Sequence, residues 1–127
     1  MFVIKRKENL IETVKFENNG KELIIDVKVN LLNTLNKYEK ASRAIQLAII
    51  DIQKGKLTDA KKIGDVIIGM LTIVFGNDTQ KIIDFYDGDY TELLLDVWPF
   101  IISVVTPAYQ KVKKQRQKEI KQRIKKI

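Results

Sequence analysis

The chain has 127 residues, 45% of them hydrophobic and 31% charged, with no cysteine and no histidine. Length and composition suit one globular domain, and the two missing residue types exclude a disulfide framework, a thiolate or imidazole metal site and the commonest general base. The formal net charge is +7, but nine cations and only one anion, Glu119, fall within residues 111–127, so the basicity belongs to the tail and no basic face is expected to cover the body.

The N-terminal segment reaches charge at Lys5, and no secretory leader is expected. Leu23, Ile25, Val27 and Val29 alternate with Glu22, Ile24, Asp26 and Lys28, the period of two of a half-buried strand. Val14 and Phe16 flank Lys15 in the same way. Asn19-Gly20 between them supplies the positive φ angles of a tight turn. A β-hairpin over about 9–29 follows, and it must pack on helices or on another strand.

Asn30 stands where an N-cap belongs, and the period changes after it. Leu31, Leu35, Tyr38, Ser42, Ile45, Ile49 and Ile52 form one stripe of an amphipathic helix, with Gly55 as its stop. Thr58 and Asp59 suit the start of a second helix. Its residues Ile63, Val66, Ile67, Ile68, Met70, Leu71, Ile73, Val74 and Phe75 cover nearly every side. A helix apolar all round in a small domain points to self-association. Gly64 and Gly69 suit close helix packing. Gly76 ends this helix, and a short helix over Thr79 to Tyr86 follows.

Asp87-Gly88-Asp89 reads as a turn, with Asp89 and Glu92 at capping-box spacing. A last helix begins near Thr91, and Pro99 and Pro107 predict kinks or restarts within it. The expectation is a mainly α protein with a small N-terminal β-hairpin (α+β). It has about four helices, in a globular domain over 1–110 with helices from about 31, followed by a basic helical tail over 111–127. The longest apolar runs, Val66–Phe75 and Val97–Ala108, fall short of the roughly 20 residues of a membrane span, so no membrane role is expected.

The chemistry is sparse. The carboxylates are scattered, and no Ser or Lys has a histidine to activate it, so no catalytic, cofactor or metal residues are assigned. Asp84, Asp87 and Asp89 imitate a calcium loop, but counting from Asp84 puts Tyr86 at position three and Leu95 at position twelve, and the pattern fails. The glycines match no phosphate-binding fingerprint. The tail residues Lys111, Lys113, Lys114, Arg116, Lys118, Lys121, Arg123, Lys125 and Lys126 suit a solvated helix end, an acidic protein surface or nucleic-acid phosphates. No aromatic residue follows Tyr109, so bases find no stacking platform in the tail and nucleic acid ranks below the other two. Trp98 and Phe100, bracketing Pro99, serve either the core or a partner helix.

The run GDVIIGMLTIVFGNDTQKIIDFYDGDYTELLLDVWPFI, residues 64–101, resembles the tail assembly chaperones of long-tailed phages, or prophages, of Gram-positive bacteria. The matching features are the helix ending Ile73-Val74-Phe75-Gly76, the short helix over Lys81-Ile82-Ile83, the Gly88-Asp89-Tyr90 turn and Pro99-Phe100-Ile101. These motifs are diffuse and apolar. The resemblance implies a non-enzymatic protein of the host cytoplasm that binds the tape measure protein, keeps it soluble until tail tube protein polymerises around it, and is absent from the mature virion. Partner-binding candidates are Phe75, Trp98, Phe100, Ile101 and Tyr109. The alternatives are a small nucleic-acid-binding or regulatory protein that uses the basic tail, and a structural virion protein.

Overall fold

The computed structural model describes residues 1, 9–55 and 60–124. Strands β1 (Asn9–Asn18) and β2 (Lys21–Asn30) form an antiparallel hairpin in the register Asn18↔Lys21 to Asn9↔Asn30. Asn19 and Gly20 carry φ of 50° and 81°, the two positive values a type I′ turn needs. Phe16, Ile25, Val27 and Val29 are buried on one face. The other face is mixed, with Ile11 and Ile24 exposed beside polar pairs: the Thr13 hydroxyl donates to Asp26 at 3.0 Å, and Lys15 bridges Glu17 and Glu22 at 2.9 and 3.1 Å.

Helix α1 (Leu31–Gln53) starts where the Asn30 side chain accepts from the Asn33 N–H at 3.1 Å. It stops at Gly55, whose φ is 69° and whose N–H donates to the Ile52 carbonyl. Helix α2 (Ala60–Phe75) follows. The proposed caps Thr58 and Asp59 lie outside the described residues. Gly76 ends α2 as expected, but the helical path continues past it. Its φ of 54° reorients the chain, but a 3₁₀ turn over Gly76–Asp78 leads straight into α3 (Thr79–Phe85), with the Thr79 hydroxyl donating to the Gly76 carbonyl at 2.7 Å.

The α3 stop is a Schellman arrangement. Asp87 has φ of 51°, and the Gly88 N–H reaches back to the Ile83 carbonyl at 3.0 Å. Asp89 caps α4 (Tyr90–Phe100) by accepting from the Glu92 N–H at 3.2 Å. Only this half of the expected capping box forms with Glu92, because the Asp89 N–H donates to the Tyr86 carbonyl instead.

The prolines do not restart the last helix. A π turn over Ile101–Val105 joins α4 to α5 (Thr106–Ile124). The Thr106 N–H bonds five residues back to Ile101, and the Ser103 hydroxyl donates to the Pro99 carbonyl at 2.5 Å. A widened turn accommodates a residue that cannot donate, and Pro107 then falls in the first turn of α5, where proline is tolerated. The helical path therefore runs in three stretches, over 31–53, 60–85 and 90–124, rather than four.

One core joins them, built from the inner hairpin face, α1, α2, α4 and the start of α5. Helix α2, expected to need a neighbouring chain, is enclosed within this one. Ile67, Met70, Leu71, Val74 and Phe75 are buried, Ile63, Val66, Ile68 and Ile73 partly so, and its outward positions are Lys61, Lys62, Asp65, Gly69 and Thr72. This helix therefore gives no reason to expect self-association. Gly64 does serve close packing, since a Cβ there would lie 2.9 Å from the Tyr90 ring, whereas Gly69 faces open space. Helix length, too, differs from the expectation drawn from the apolar runs. Continuation through the 3₁₀ and π turns gives helical stretches Lys61–Phe85 and Tyr90–Ile124, whose most apolar 18-residue windows have mean hydropathy of 1.3 and 1.4, long and apolar enough to cross a bilayer by those two measures alone. Both bury one face in the core.

Candidate partner-binding groove

Strand β1 and helix α4 run beside one another without closing. The groove between them encloses about 510 Å³. Its aromatic wall is the product of long-range packing. Phe16 meets Phe75, Phe85 and Tyr86 at ring-centroid distances of 6.1, 6.3 and 6.2 Å, and Phe75 meets Phe100 at 6.1 Å. Helix α4 contributes Leu95, Asp96 and Pro99 to the lining, and β1 contributes Val14, Lys15 and Glu17. The Tyr86 hydroxyl donates to Asp96 at 2.7 Å. Burial, and then the Asp96 carboxylate, push the Tyr86 phenol above its ordinary pKa.

From the groove's edge outward the same helix carries an apolar stripe. Leu95, Trp98, Pro99 and Ile102 are spaced i, i+3, i+4 and i+7, so they share a face. Leu95 is 62% exposed and Ile102 48%, and Trp98 is half-buried between them. The stripe places these large apolar side chains on one helix face beside an open groove.

The residues proposed from sequence as partner contacts divide accordingly. Trp98 and Phe100 are half-buried at the stripe and the groove. Phe75, Ile101 and Tyr109 are core residues, with exposures of 5, 1 and 1%. Phe75 reaches only the groove wall, while Ile101 and Tyr109 hold helices together and are not available as anchors. Sequence reasoning missed Leu95 and Ile102, although their helical spacing from Trp98 was available. It also missed Phe16 as a groove residue, for which nothing local gives a signal.

A second, more polar cleft of about 320 Å³ lies between α1 and α5. Tyr38 and Tyr109 stack there, the Lys113 ammonium lies 2.9 Å from the Glu39 carboxylate, and Arg43 and Gln46 line the remainder. From Lys113 to Ile124 every residue of α5 is exposed, so Lys113, Lys114, Arg116, Lys118, Lys121 and Arg123 stand on a helix that projects from the body. Lys111 lies just before it on the same helix, and Lys125 and Lys126 lie outside the described residues. Among the described residues, no group of three or more acidic, histidine or cysteine side chains is placed to hold a metal ion. Comparison with protein-family models, with characterised proteins and with solved structures finds no match.

Proposed function

We propose that this chain is a non-catalytic tail assembly chaperone that holds a long helical tape measure protein through apolar contacts. The observation that carries the reading is the Leu95–Trp98–Pro99–Ile102 stripe beside the aromatic groove, within or adjoining the 64–101 segment on which the resemblance rests. An amphipathic helix laid along such a surface recognises it through anchors spaced i, i+3, i+4 and i+7. Trp98 is the best single anchor, because tryptophan dominates binding energy where it is partly enclosed by neighbours. The same reading places the chain in the host cytoplasm during assembly and outside the finished particle.

Co-expression with a tape measure protein tests it. The complex is expected to survive a high-salt wash and to be lost in Trp98→Ala and in Leu95→Asp, with both variants folded by circular dichroism. Truncating a buried aromatic anchor costs about 2 kcal/mol or more, with little salt dependence. The exposed basic helix over 113–124 supports the competing nucleic-acid reading. Binding to RNA or DNA that weakens steeply with salt, requires the tail and ignores Trp98→Ala decides for that alternative.

A further inference from the structure

The long third helical stretch is electrically divided. Between Tyr90 and Gln110 it has two carboxylates, Glu92 and Asp96, and no lysine or arginine, and three more carboxylates, Asp84, Asp87 and Asp89, stand just before it. From Lys111 to Ile124 it has seven cations and one carboxylate. The acidic half carries the groove: Asp96 lines it, and Glu92 lies one turn before it on the face shared with Leu95 and Pro99. The basic half carries an apolar pair, Ile120 and Ile124, exposed by 48 and 62% and spaced i, i+4, so the two side chains are neighbours.

We propose that the basic helix over 113–124 of one copy docks in the β1–α4 groove of a second copy. Ile120 and Ile124 enter against Leu95, Pro99 and Phe100, and the flanking cations face Glu92 and Asp96. Charge complementarity on the α4 side selects this occupant: Asp96 lines the groove with Glu92 beside it and no cation on that helix, while Glu17 on the β1 side is already paired with Lys15, and among the described residues the projecting helix joins a run of cations to an exposed apolar pair. The contact is between copies. At about 1.5 Å per residue, the centre of the tail lies roughly 30 Å along the helix from the groove of its own chain, and a continuous helix cannot fold back. It is also heterologous, because each copy offers one groove and one tail, so it does not close on itself as a two-fold dimer does. The inference does not rest on the tape-measure reading. It concerns the purified chain, whose groove the tail covers while no other partner is present.

Light scattering or sedimentation across a concentration series tests it on the full chain. At low salt the mass is expected to rise above the 14.7 kDa of one chain. The apparent dissociation constant is expected to weaken by about tenfold or more between roughly 0.05 and 0.5 M salt. Two variants separate the surfaces at exposed positions, I120D/I124D on the tail and E92K/L95K on the groove. Each alone is expected to stay monomeric and folded by circular dichroism, and an equimolar mixture to recover a pair, since one supplies an intact groove and the other an intact tail. A tail variant that still associates points to groove-to-groove contact. A groove variant that still associates points to tail-to-tail contact. Either result, or two folded variants that fail to pair on mixing, overturns the proposal. So does a wild-type chain that stays monomeric at low salt, whatever the variants do.

Discussion

Tyr38 and Tyr109 stack with ring centroids 4.0 Å apart and planes 7° from parallel, and each hydroxyl meets a threonine on the other's helix. Tyr38 meets Thr106, and Tyr109 meets Thr34 at 2.6 Å. The Thr34 hydroxyl already donates to the Asn30 carbonyl at 2.8 Å. Its single proton is committed, so Tyr109 is the donor in the pair and Thr34 the acceptor. The start of α1 and the start of α5 are tied together at this point.

That assignment predicts an asymmetry. Tyr109→Phe removes a donor but leaves Thr34 bonded to Asn30, so it should cost about 1 kcal/mol or less. Thr34→Val leaves a buried phenol hydroxyl without its acceptor and should cost more, about 1–3 kcal/mol. Adding Thr34→Val to Tyr109→Phe should then cost little. Urea denaturation of the four proteins closes the cycle. Equal costs for the two single variants would mean that the hydrogen bond runs the other way or contributes nothing.

The two glycines within α2 should respond oppositely to alanine. Gly69 is exposed, and a methyl group added there would find no heavy atom within 4 Å. Gly69→Ala should stabilise by about 0.5–1 kcal/mol through helix propensity alone. Gly64→Ala gains the same propensity but sets a methyl 2.9 Å from the Tyr90 ring. The half-buried ring must move and give up packing, so this variant should be neutral or destabilised. Thermal melts of both variants should differ in sign or fall clearly apart, and a Gly64→Ala gain as large as that of Gly69→Ala would contradict the close approach.

The contrast between these glycines shows what the sequence could carry. Both stood in the same helical pattern, and only the position of Tyr90, 26 residues beyond Gly64 in the chain, separates them. Signals that act within a few residues were legible: the strand alternation, Asn19-Gly20, the Asn30 cap and the Gly55 stop each depend on local backbone geometry. Breakers were legible as residues but not in their effect. Gly76, Pro99 and Pro107 all mark real irregularities, yet each is absorbed by a 3₁₀ or π turn, because the helices on either side bury Thr79, Ile82, Ile101 and Val105 in the same core. The groove was the least legible feature. It exists because Phe16 on a strand meets Phe75 and Tyr86 on two other elements, and no periodicity encodes that meeting. The apolar surplus on α2 misled for the same reason, since the hairpin, α1 and α4 together cover it.

Removal of the tail should leave folding almost untouched. After Val112, which is buried, every described residue is exposed, and the ion pair that ties this segment to the body joins Lys113 and Glu39, both substantially solvated. Exposed pairs contribute about 0–1 kcal/mol. Truncation after Val112 is therefore expected to shift the unfolding free energy by less than about 1 kcal/mol, measured under dilute, high-salt conditions that separate copies. A larger loss would place the helix against the body in solution.

Alkaline pH should unfold the chain through its buried phenols. Burial raises the pKa of Tyr86, helped by the Asp96 carboxylate that accepts its hydrogen bond, and burial likewise raises that of Tyr109. For each, the neutral form is favoured in the folded state, while the unfolded phenol titrates near pH 10. Below that value both states hold the proton, and the stabilisation is fully present. Above it the unfolded state releases the proton while the folded state keeps it, so the unfolded state binds fewer protons and stability falls as pH rises. The decline should continue until the raised folded-state values are reached. Tyr86→Phe removes one of the two groups and should make the decline shallower between about pH 10 and 11.5, at the cost of the hydrogen bond to Asp96 near neutrality. Denaturant midpoints across that range, wild type against variant, provide the comparison. Parallel declines in the two proteins would show that Tyr86 ionises as freely in the folded chain as in the unfolded one.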